Sequence, residues 1–457
     1  MKLSELKDKK ILILGFGREG LDSFLFFKKL FPKNVFGISD KTELEKLNPK
    51  TKTILKRAKN VNLHLGLNYL KVLDNYDVII KTPGISIHLP EIEKAFKENK
   101  VTSQTEIFFE NCPGKIIGIT GTKGKSTTTS LIYKVLKDNK IRAFIVGNIG
   151  KPVLSLLSKA KKEDVFVFEL SSHQLYNLKK SPHIAVFLNI YPEHLDYYKD
   201  FEEYFRAKQN ITLNQNKTDY FIFNNSEKLV LELSKKTKAG PISFSESRGD
   251  CKIEENFIIY HGEKIIKLEE VPLKGMFNYL NTMPAIIIGK LFNIPSQNIV
   301  KSIKTFIPLE HRLELVGTFK GISFYNDALA TIPQATIGAI EALGSDVQTI
   351  MLGGFNRNIE FLELAKKVLE SNIRTVILFP TTGELIWKEI VKRARGKTLP
   401  KSFPANSMQE AVKIAYENTL RGKICLMSCA SSSFSIFKDY KEKGDLFKKF
   451  VKQYGRK

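Results

Sequence analysis

Short apolar runs alternate with longer amphipathic stretches along most of the chain, and this rhythm restricts the fold more than any other feature. Residues 11–15, 35–39 and 77–81 are apolar runs too short for helices, while "LDSFLFFKKLF" and "LPEIEKAFKENK" between and after them repeat at helical spacing. Buried strands alternating with helices predict a parallel sheet joined by right-handed crossovers. The rhythm restarts after "NCPGK" (111–115), whose proline and glycine suit a hinge, with strands predicted at 116–120, 143–147, 165–170, 185–190 and 220–224. Residues 240–275 are turn-rich and read as β-hairpins. A third series follows "FIPLEHRLELV", with strands at 322–327, 348–354, 375–379 and 424–428. At 457 residues the chain exceeds what one core supports. The reading is an α/β protein of three domains: Rossmann-like at 1–111, a phosphate-loop domain with a parallel sheet at 112–308, and Rossmann-like again at 309–457.

No stretch of about 18 consecutive apolar residues occurs, so neither a spanning helix nor a membrane partner is expected. The N-terminus, "MKLSELKDKKILILGFGREG", reads as a first strand rather than a signal peptide, which points to the cytoplasm. Cys112, Cys251, Cys425 and Cys429 have no CxxC spacing and no histidine cluster nearby, so reduced thiols are expected. A net charge of +24 raises the question of nucleic acid. The lysines, however, are spread over helix faces such as "LSKAKKED" and "KEKGDLFKKF", and no arginine-rich tract appears, so no nucleic-acid partner is expected. Small polyanionic ligands suit such a surface, and a monomer is expected.

Gly15, Gly17 and Gly20 spell G-x-G-x-x-G directly after the first predicted strand, and Asp40 closes the second. Glycines there let backbone N–H groups approach a pyrophosphate at a helix N-terminus, while the acid accepts hydrogen bonds from a ribose or base. A dinucleotide and a UDP-type ligand both satisfy this pattern. "GITGTKGKSTTTS" (118–130) also turns on glycines between strand and helix. The common spacing G-x-x-x-x-G-K-[ST] fails, because Ile119 stands where its first glycine belongs. The alternative form, G-T-x-G-K-S-T, still offers backbone donors from Gly121, Thr122, Lys123 and Gly124, a cation from Lys125, and the hydroxyls of Ser126 and Thr127 for Mg²⁺. Glu169 and His194 follow at predicted strand ends, where parallel sheets hold their ligands. Lys208, in "FEEYFRAKQNI", carries no signal by itself, and His173 reads as structural.

The order "GTKGKST", "GNIG" (147–150), "FELSSHQL" (168–175), "PEHLD" (192–196), "FRAK" (205–208), "GMFNYLN" (275–281), "EHRLE" (310–314) and "YND" (325–327) resembles that of the Mur ligases over essentially the whole chain. The N-terminal glycine turn, Asp40 and "TPGI" (82–85) are similar to the branch that joins glutamate to UDP-N-acetylmuramoyl-L-alanine. The resemblance implies a UDP-binding first domain and ATP as the ligand of the central loop. It implies Lys125, His194 and Lys208 as catalytic residues. Two Mg²⁺ sites would draw on Ser126 or Thr127, Glu169, His194 and a carbamate on Lys208. It further implies that Gly17, Arg18, Asp40, Thr82, Pro83, Gly84 and Asn148 meet the UDP-sugar. Asn278 and Asn281 would meet adenine, Arg312 and Asp327 the nucleotide, and Arg357 and Ser433 the amino acid.

Several positions depart from the D-glutamate-adding pattern. Ala328-Leu329-Ala330-Thr331-Ile332 follows "YND" where that pattern has Ser-Lys-Ala-Thr-Asn, Arg357 stands for a lysine, "SCASSS" (428–433) replaces "SPACAS", and Phe277 replaces a histidine. D-glutamate is expected as the commoner substrate of the branch, and L-glutamate is the alternative. A folylpolyglutamate-synthase-like enzyme lacks the separate first domain. A decayed, non-enzymatic nucleotide-sugar binder would have lost Lys125, Glu169, His194 or Lys208, and a dehydrogenase needs a hydride-transfer site that is not visible.

Overall fold

The run Ile11–Leu14 has no polar residue and is buried throughout, as a strand covered on both faces requires. In the computed structural model, which describes residues 1–150, 152–357 and 359–456, it is β1. With β2 (Phe36–Asp40), β3 (Val61–Leu65), β4 (Val78–Lys81) and β5 (Val101–Thr102) it forms a parallel sheet of order β3-β2-β1-β4-β5. The chain leaves β1 at the point where strand order reverses, so the glycine turn opens at the crevice of the sheet. β3 and β5 were not predicted. β3 lies at an edge and reads "VNLHL", half polar, and β5 is two residues long, so neither carries an apolar run.

The second sheet has nine strands: β6 (Lys115–Thr120), β7 (Ala143–Gly147), β8 (Val165–Glu169), β9 (Ile184–Phe187), β10 (Tyr220–Asn224), β11 (Gly240–Phe244), β12 (Cys251–Glu254), β13 (Phe257–Tyr260) and β14 (Glu263–Lys267). Their order is β14-β13-β12-β11-β10-β9-β6-β8-β7, parallel except for the β12–β13–β14 hairpins. Those hairpins fall within the turn-rich stretch at 240–275, whose first strand, β11, is instead parallel to both its neighbours. β6 pairs with β8 on one side and β9 on the other, so the ends of all three face one crevice.

The third sheet, β15 (Glu314–Phe319), β16 (Ile322–Asn326), β17 (Val347–Gly353), β18 (Thr375–Phe379), β19 (Lys401–Pro404) and β20 (Ile424–Met427), has the order β15-β16-β20-β17-β18-β19, with only β15 antiparallel. The chain forms two compact units. One holds the first two sheets, Met1–Leu268 with Leu280–Lys304, and the other, Glu269–Tyr279 with Thr305–Lys457, holds the third. All four cysteines are free, and no described helix is long and apolar enough to cross a membrane.

Within the first unit, helix Gln104–Asn111 packs its phenylalanines on β8. The Phe108 ring meets Phe166 at 5.1 Å and Phe168 at 5.9 Å, and Phe109 meets Phe168 at 5.4 Å, all edge-on. These rings are fully buried, so area and edge-to-face geometry stabilise together. Phe168→Ala is expected to lower the unfolding free energy by about 3–5 kcal/mol, the range for an emptied aromatic site. Chemical denaturation measures it, and a loss below about 1 kcal/mol would show that the cluster does not anchor this helix.

Candidate active site

The stretch after β6 departs from ordinary backbone geometry at two glycines, Gly121 (φ +154°) and Gly124 (φ +85°), the second capping helix Lys125–Asp138. A Cβ on Gly124 would stand 2.1 Å from Asn281 Oδ1. Asn281 also accepts, through its backbone oxygen, a hydrogen bond from Thr128 Oγ1 at 3.1 Å. The loop is held from beneath as well. Thr122 Oγ1 accepts from Tyr191 N at 2.9 Å and pairs with the Tyr204 hydroxyl at 3.1 Å. Asn189 Oδ1 accepts from Lys123 N at 2.8 Å, and Lys123 Nζ reaches Glu193 at 2.7 Å. Ser126 and Thr127 are buried in the first helical turn, where N–H groups and dipole favour an anion.

Lys125 Nζ donates to the carbonyl oxygens of Gly121 and Thr122, each at 3.0 Å. Lys208, from helix Phe201–Gln209, donates to the same Gly121 oxygen at 2.9 Å and to Thr120 Oγ1 at 3.1 Å, and it is only 1% exposed. Burial drives the Lys208 amine well below the ordinary lysine pKa; the Lys125 charge adds to this, and Glu193 and Glu169 oppose it. A lysine that the sequence leaves mute is thus placed by tertiary structure beside the phosphate loop.

Glu169 closes β8 with one carboxylate oxygen accepting from Asn148 Nδ2 at 3.0 Å, while the other, Oε2, is buried and has no partner. An orphaned carboxylate oxygen at a phosphate loop fits a divalent cation, which would satisfy it. Among the described residues no three His, Cys, Asp or Glu side chains converge into a protein-only cage; Mg²⁺ beside phosphates rarely needs one. His194 takes a left-handed φ of +60°. Partial desolvation pulls its pKa below the ordinary imidazole value; Lys125 and Lys208 push the same way, and Glu193 opposes them.

His173, read from sequence as merely structural, has its ring 5.0 Å from that of His194 and 4.2 Å from that of Tyr197. Burial, with His194, Lys81 and Lys208 adding to it, lowers its pKa to about 3, so it stays neutral. Its signal in the sequence was only its place in "ELSSH", four residues after Glu169.

At the first sheet, the glycines do separate work. A Cβ on Gly15 would meet Thr82 Oγ1 at 2.0 Å and one on Gly20 would meet the Gly15 oxygen at 2.0 Å, whereas one on Gly17 would meet nothing within 4 Å. The first two glycines close the turn, and the third faces open space. Asp40 braces this turn, accepting from Phe16 N at 2.6 Å and Thr42 N at 2.7 Å. Gly17, Arg18, Thr82, Pro83 and Asn148 line one cavity of about 250 Å³, and Arg18 donates to the Gly150 carbonyl. Gly84 follows Pro83 in the same turn but does not line that cavity. Asn148 therefore touches both the cavity and Glu169.

In the second unit Asp327 is buried, accepting from Ser428 Oγ at 2.8 Å and Leu313 N at 3.1 Å. Burial raises its pKa against these bonds and the nearby Arg312 and Lys443 charges. Asn278 donates to the Lys274 carbonyl at 2.8 Å. Arg357 is exposed on the loop after β17. That loop bonds through Phe355 N to the Ser432 carbonyl at 2.8 Å, next to Ser433, whose hydroxyl is buried without a partner.

A model of the Mur ligase MurD-like N-terminal domain matches residues 9–102 and one of the Mur ligase middle domain matches residues 119–289. The UDP-N-acetylmuramoylalanine–D-glutamate ligase of Clostridium tetani is 34% identical, covering 97% of both chains. The ligase of the same name from Acetivibrio thermocellus is 32% identical over 98% of this chain and 97% of its own. The crystal structure of the MurF ligase of Thermotoga maritima in complex with ADP shares the fold, with a TM-score of 0.60 at 16% identity over 99% of this chain and 97% of that one. With these relatives matched end to end, the chain belongs to the Mur ligase family, on its MurD-like branch.

Proposed function

We propose that this chain joins the amino group of D-glutamate to the alanyl carboxylate of UDP-N-acetylmuramoyl-L-alanine, cleaving ATP to ADP and phosphate in peptidoglycan precursor synthesis. The observation that carries the reading is Asn148. It lines the cavity beside the glycine turn and donates to Glu169 at the phosphate loop, so one side chain joins a sugar-sized site to a phosphate site. The names of relatives matched over the full length support the reading and its enantiomer.

We assign 1–111 to the UDP-sugar, 112–308 to ATP and 309–457 to glutamate and nucleotide. Gly17, Arg18, Asp40, Thr82, Pro83, Gly84 and Asn148 hold the UDP-sugar. Gly121, Thr122, Lys123, Gly124, Lys125, Ser126 and Thr127 hold the phosphates, with Asn278 and Asn281 at adenine and Arg312 and Asp327 at the nucleotide. Arg357 and Ser433 take the glutamate carboxylates, where a guanidinium forms a two-pronged contact that lysine cannot. Ser126, Glu169, His194 and a carbamylated Lys208 would hold two Mg²⁺ ions, which neutralise phosphoryl charge when bound. Burial lowers the proton affinity of Lys208 and so favours the neutral amine, the form that adds to CO₂ and loses a proton to give an anionic carbamate. The enzyme acts in the cytoplasm as a monomer, and its product serves cell-wall growth, and hence cell shape and division.

In the reaction the alanyl carboxylate attacks the γ-phosphorus and ADP leaves. The amine then attacks the acyl phosphate carbon, and phosphate departs from the tetrahedral adduct. Lys125 and the loop N–H groups meet charge as it builds on the phosphoryl oxygens, which is where positioned cations contribute most.

Lys125→Ala is expected to lower turnover by at least about 100-fold, roughly 2.7 kcal/mol in the barrier, with unchanged thermal unfolding. Phosphate release measures it, and activity within about tenfold of the parent would sink the assignment. For Lys208→Ala, acetate or formate is expected to restore part of the lost activity, and ¹³CO₂ is expected to give a carbamate resonance that this variant lacks. No rescue and no such resonance would remove the carbamate. Ala328, Leu329 and Arg357 favour keeping L-glutamate as a second reading. With both enantiomers at equal concentration, D-glutamate is expected to be incorporated at least about tenfold faster; an equal preference for L-glutamate would reverse the choice. Arg357→Lys is expected to weaken this discrimination if the guanidinium reads the enantiomer.

A further inference from the structure

A second cavity, of about 390 Å³, lies behind the turn that carries Thr82 and Pro83, within the first unit. Its size is in the range of small-molecule sites. It is bounded by the end of β4, helix Pro90–Lys97, helix Ser172–Leu175 and the segment following helix Phe201–Gln209. Pro83 lines both this cavity and the smaller one beside Gly17.

The lining carries two lysines, Lys81 and Lys179, and one carboxylate, Glu106, which accepts from Thr102 Oγ1 at 3.0 Å. Lys81 is 7% exposed, and its ammonium donates to a single acceptor, the Thr82 carbonyl at 3.1 Å. An ammonium has three donors, so two are unused. Among the described residues no carboxylate lies within ion-pair distance of it. Glu19 acts on Lys81 only through space, and its own carboxylate already accepts from Gln174. Burial lowers the Lys81 pKa to about 8, with Glu19 partly opposing this. A buried, unpaired cation is costly, and an anion relieves the cost.

A second stretch of the lining, Asn210 and Asn214, can accept hydrogen bonds. Asn210 and Asn214 commit their amide nitrogens to the carbonyls of Leu175 and Leu178, at 3.0 and 3.1 Å. Both residues line the cavity, and their Oδ1 atoms remain able to accept. Phe96 and Tyr176, edge-on at 6.3 Å, add apolar surface to the lining.

We propose that this cavity is a second ligand site that takes a small carboxylate bearing a hydrogen-bond donor, the carboxylate on Lys81 and the donor on Asn210 and Asn214. Pro83 is the one residue it shares with the proposed UDP-sugar site, and the roles of Lys81, Asn210 and Asn214 do not depend on the assignment of that site.

Isothermal titration of the full chain with tartrate and with succinate, in Mg²⁺-free buffer, tests it. These probes carry the same charge, and only tartrate has hydroxyl donors. Tartrate is expected to bind the parent protein, with succinate at least about threefold weaker, the scale of one neutral hydrogen bond. Lys81→Met is expected to weaken tartrate by at least about tenfold, and Asn214→Asp, which sets a like charge in the lining, is expected to weaken it too. Asn214 is exposed, so this second variant keeps the test informative if Lys81→Met unfolds. Lys125→Ala is expected to leave tartrate binding unchanged. The proposal is overturned if tartrate at about 10 mM gives no heat beyond dilution. It is also overturned if tartrate binding survives both cavity variants or is lost in Lys125→Ala. Succinate binding equal to tartrate would remove the donor requirement. Ligation activity enters none of these outcomes.

Discussion

Two lysines donate to one backbone oxygen. Lys125 and Lys208 converge on the Gly121 carbonyl at 3.0 and 2.9 Å, and the second of them is out of contact with water. Like charges so close repel, and burial removes the solvent that would screen them. Both effects lower the proton affinity of Lys208, the direction that the carbamate chemistry of this reading needs. The positive φ of Gly121 and Gly124, the bracing of Thr122 by Tyr191 and Tyr204, and the seat of Asn281 under Gly124 all serve to present that one carbonyl and the N–H groups around it.

Coupling between the two halves of the first unit runs through a few polar contacts. Gln174 Nε2 donates to Glu19 at 3.2 Å, the Tyr197 hydroxyl donates to the Ile85 carbonyl at 3.0 Å, and Arg18 donates to the Gly150 carbonyl. Each links a residue of the glycine-turn side with one of the phosphate-loop side, or stands between them. The phenylalanine cluster of helix Gln104–Asn111 and β8 supplies the apolar support, so these polar bonds need only set registration. An arrangement of this kind would let the two ligands of the proposed reaction be aligned by side chains whose own positions are over-determined by packing.

The imidazoles show how far neighbours override residue type. His173 and His194 lie with rings 5.0 Å apart, and desolvation with the surrounding lysines lowers both pKa values, which disfavours a second positive charge at this pair. Glu193 behaves differently. Desolvation raises its pKa, but the Lys123 ion pair outweighs that and leaves it below the ordinary glutamate value.

The sequence by itself determined the α/β class, the strands of the sheet centres and the two glycine turns, because these depend on local signals: apolar runs, helical period and residues that tolerate positive φ. The edge strands β3, β5, β15 and β19 escaped it, since an edge strand is half exposed and need not be apolar. Lys125 and Asp40 were legible from their place at strand ends. Lys208, His173 and Lys81 were not, because their meaning lies in what surrounds them. A lysine on a helix reads as solvated until the fold buries it against Gly121, and the packing of the His173 ring on His194 has no local signal. Only the tertiary structure decided those surroundings, because burial, and the proton affinity that follows from it, is set by residues distant in the chain.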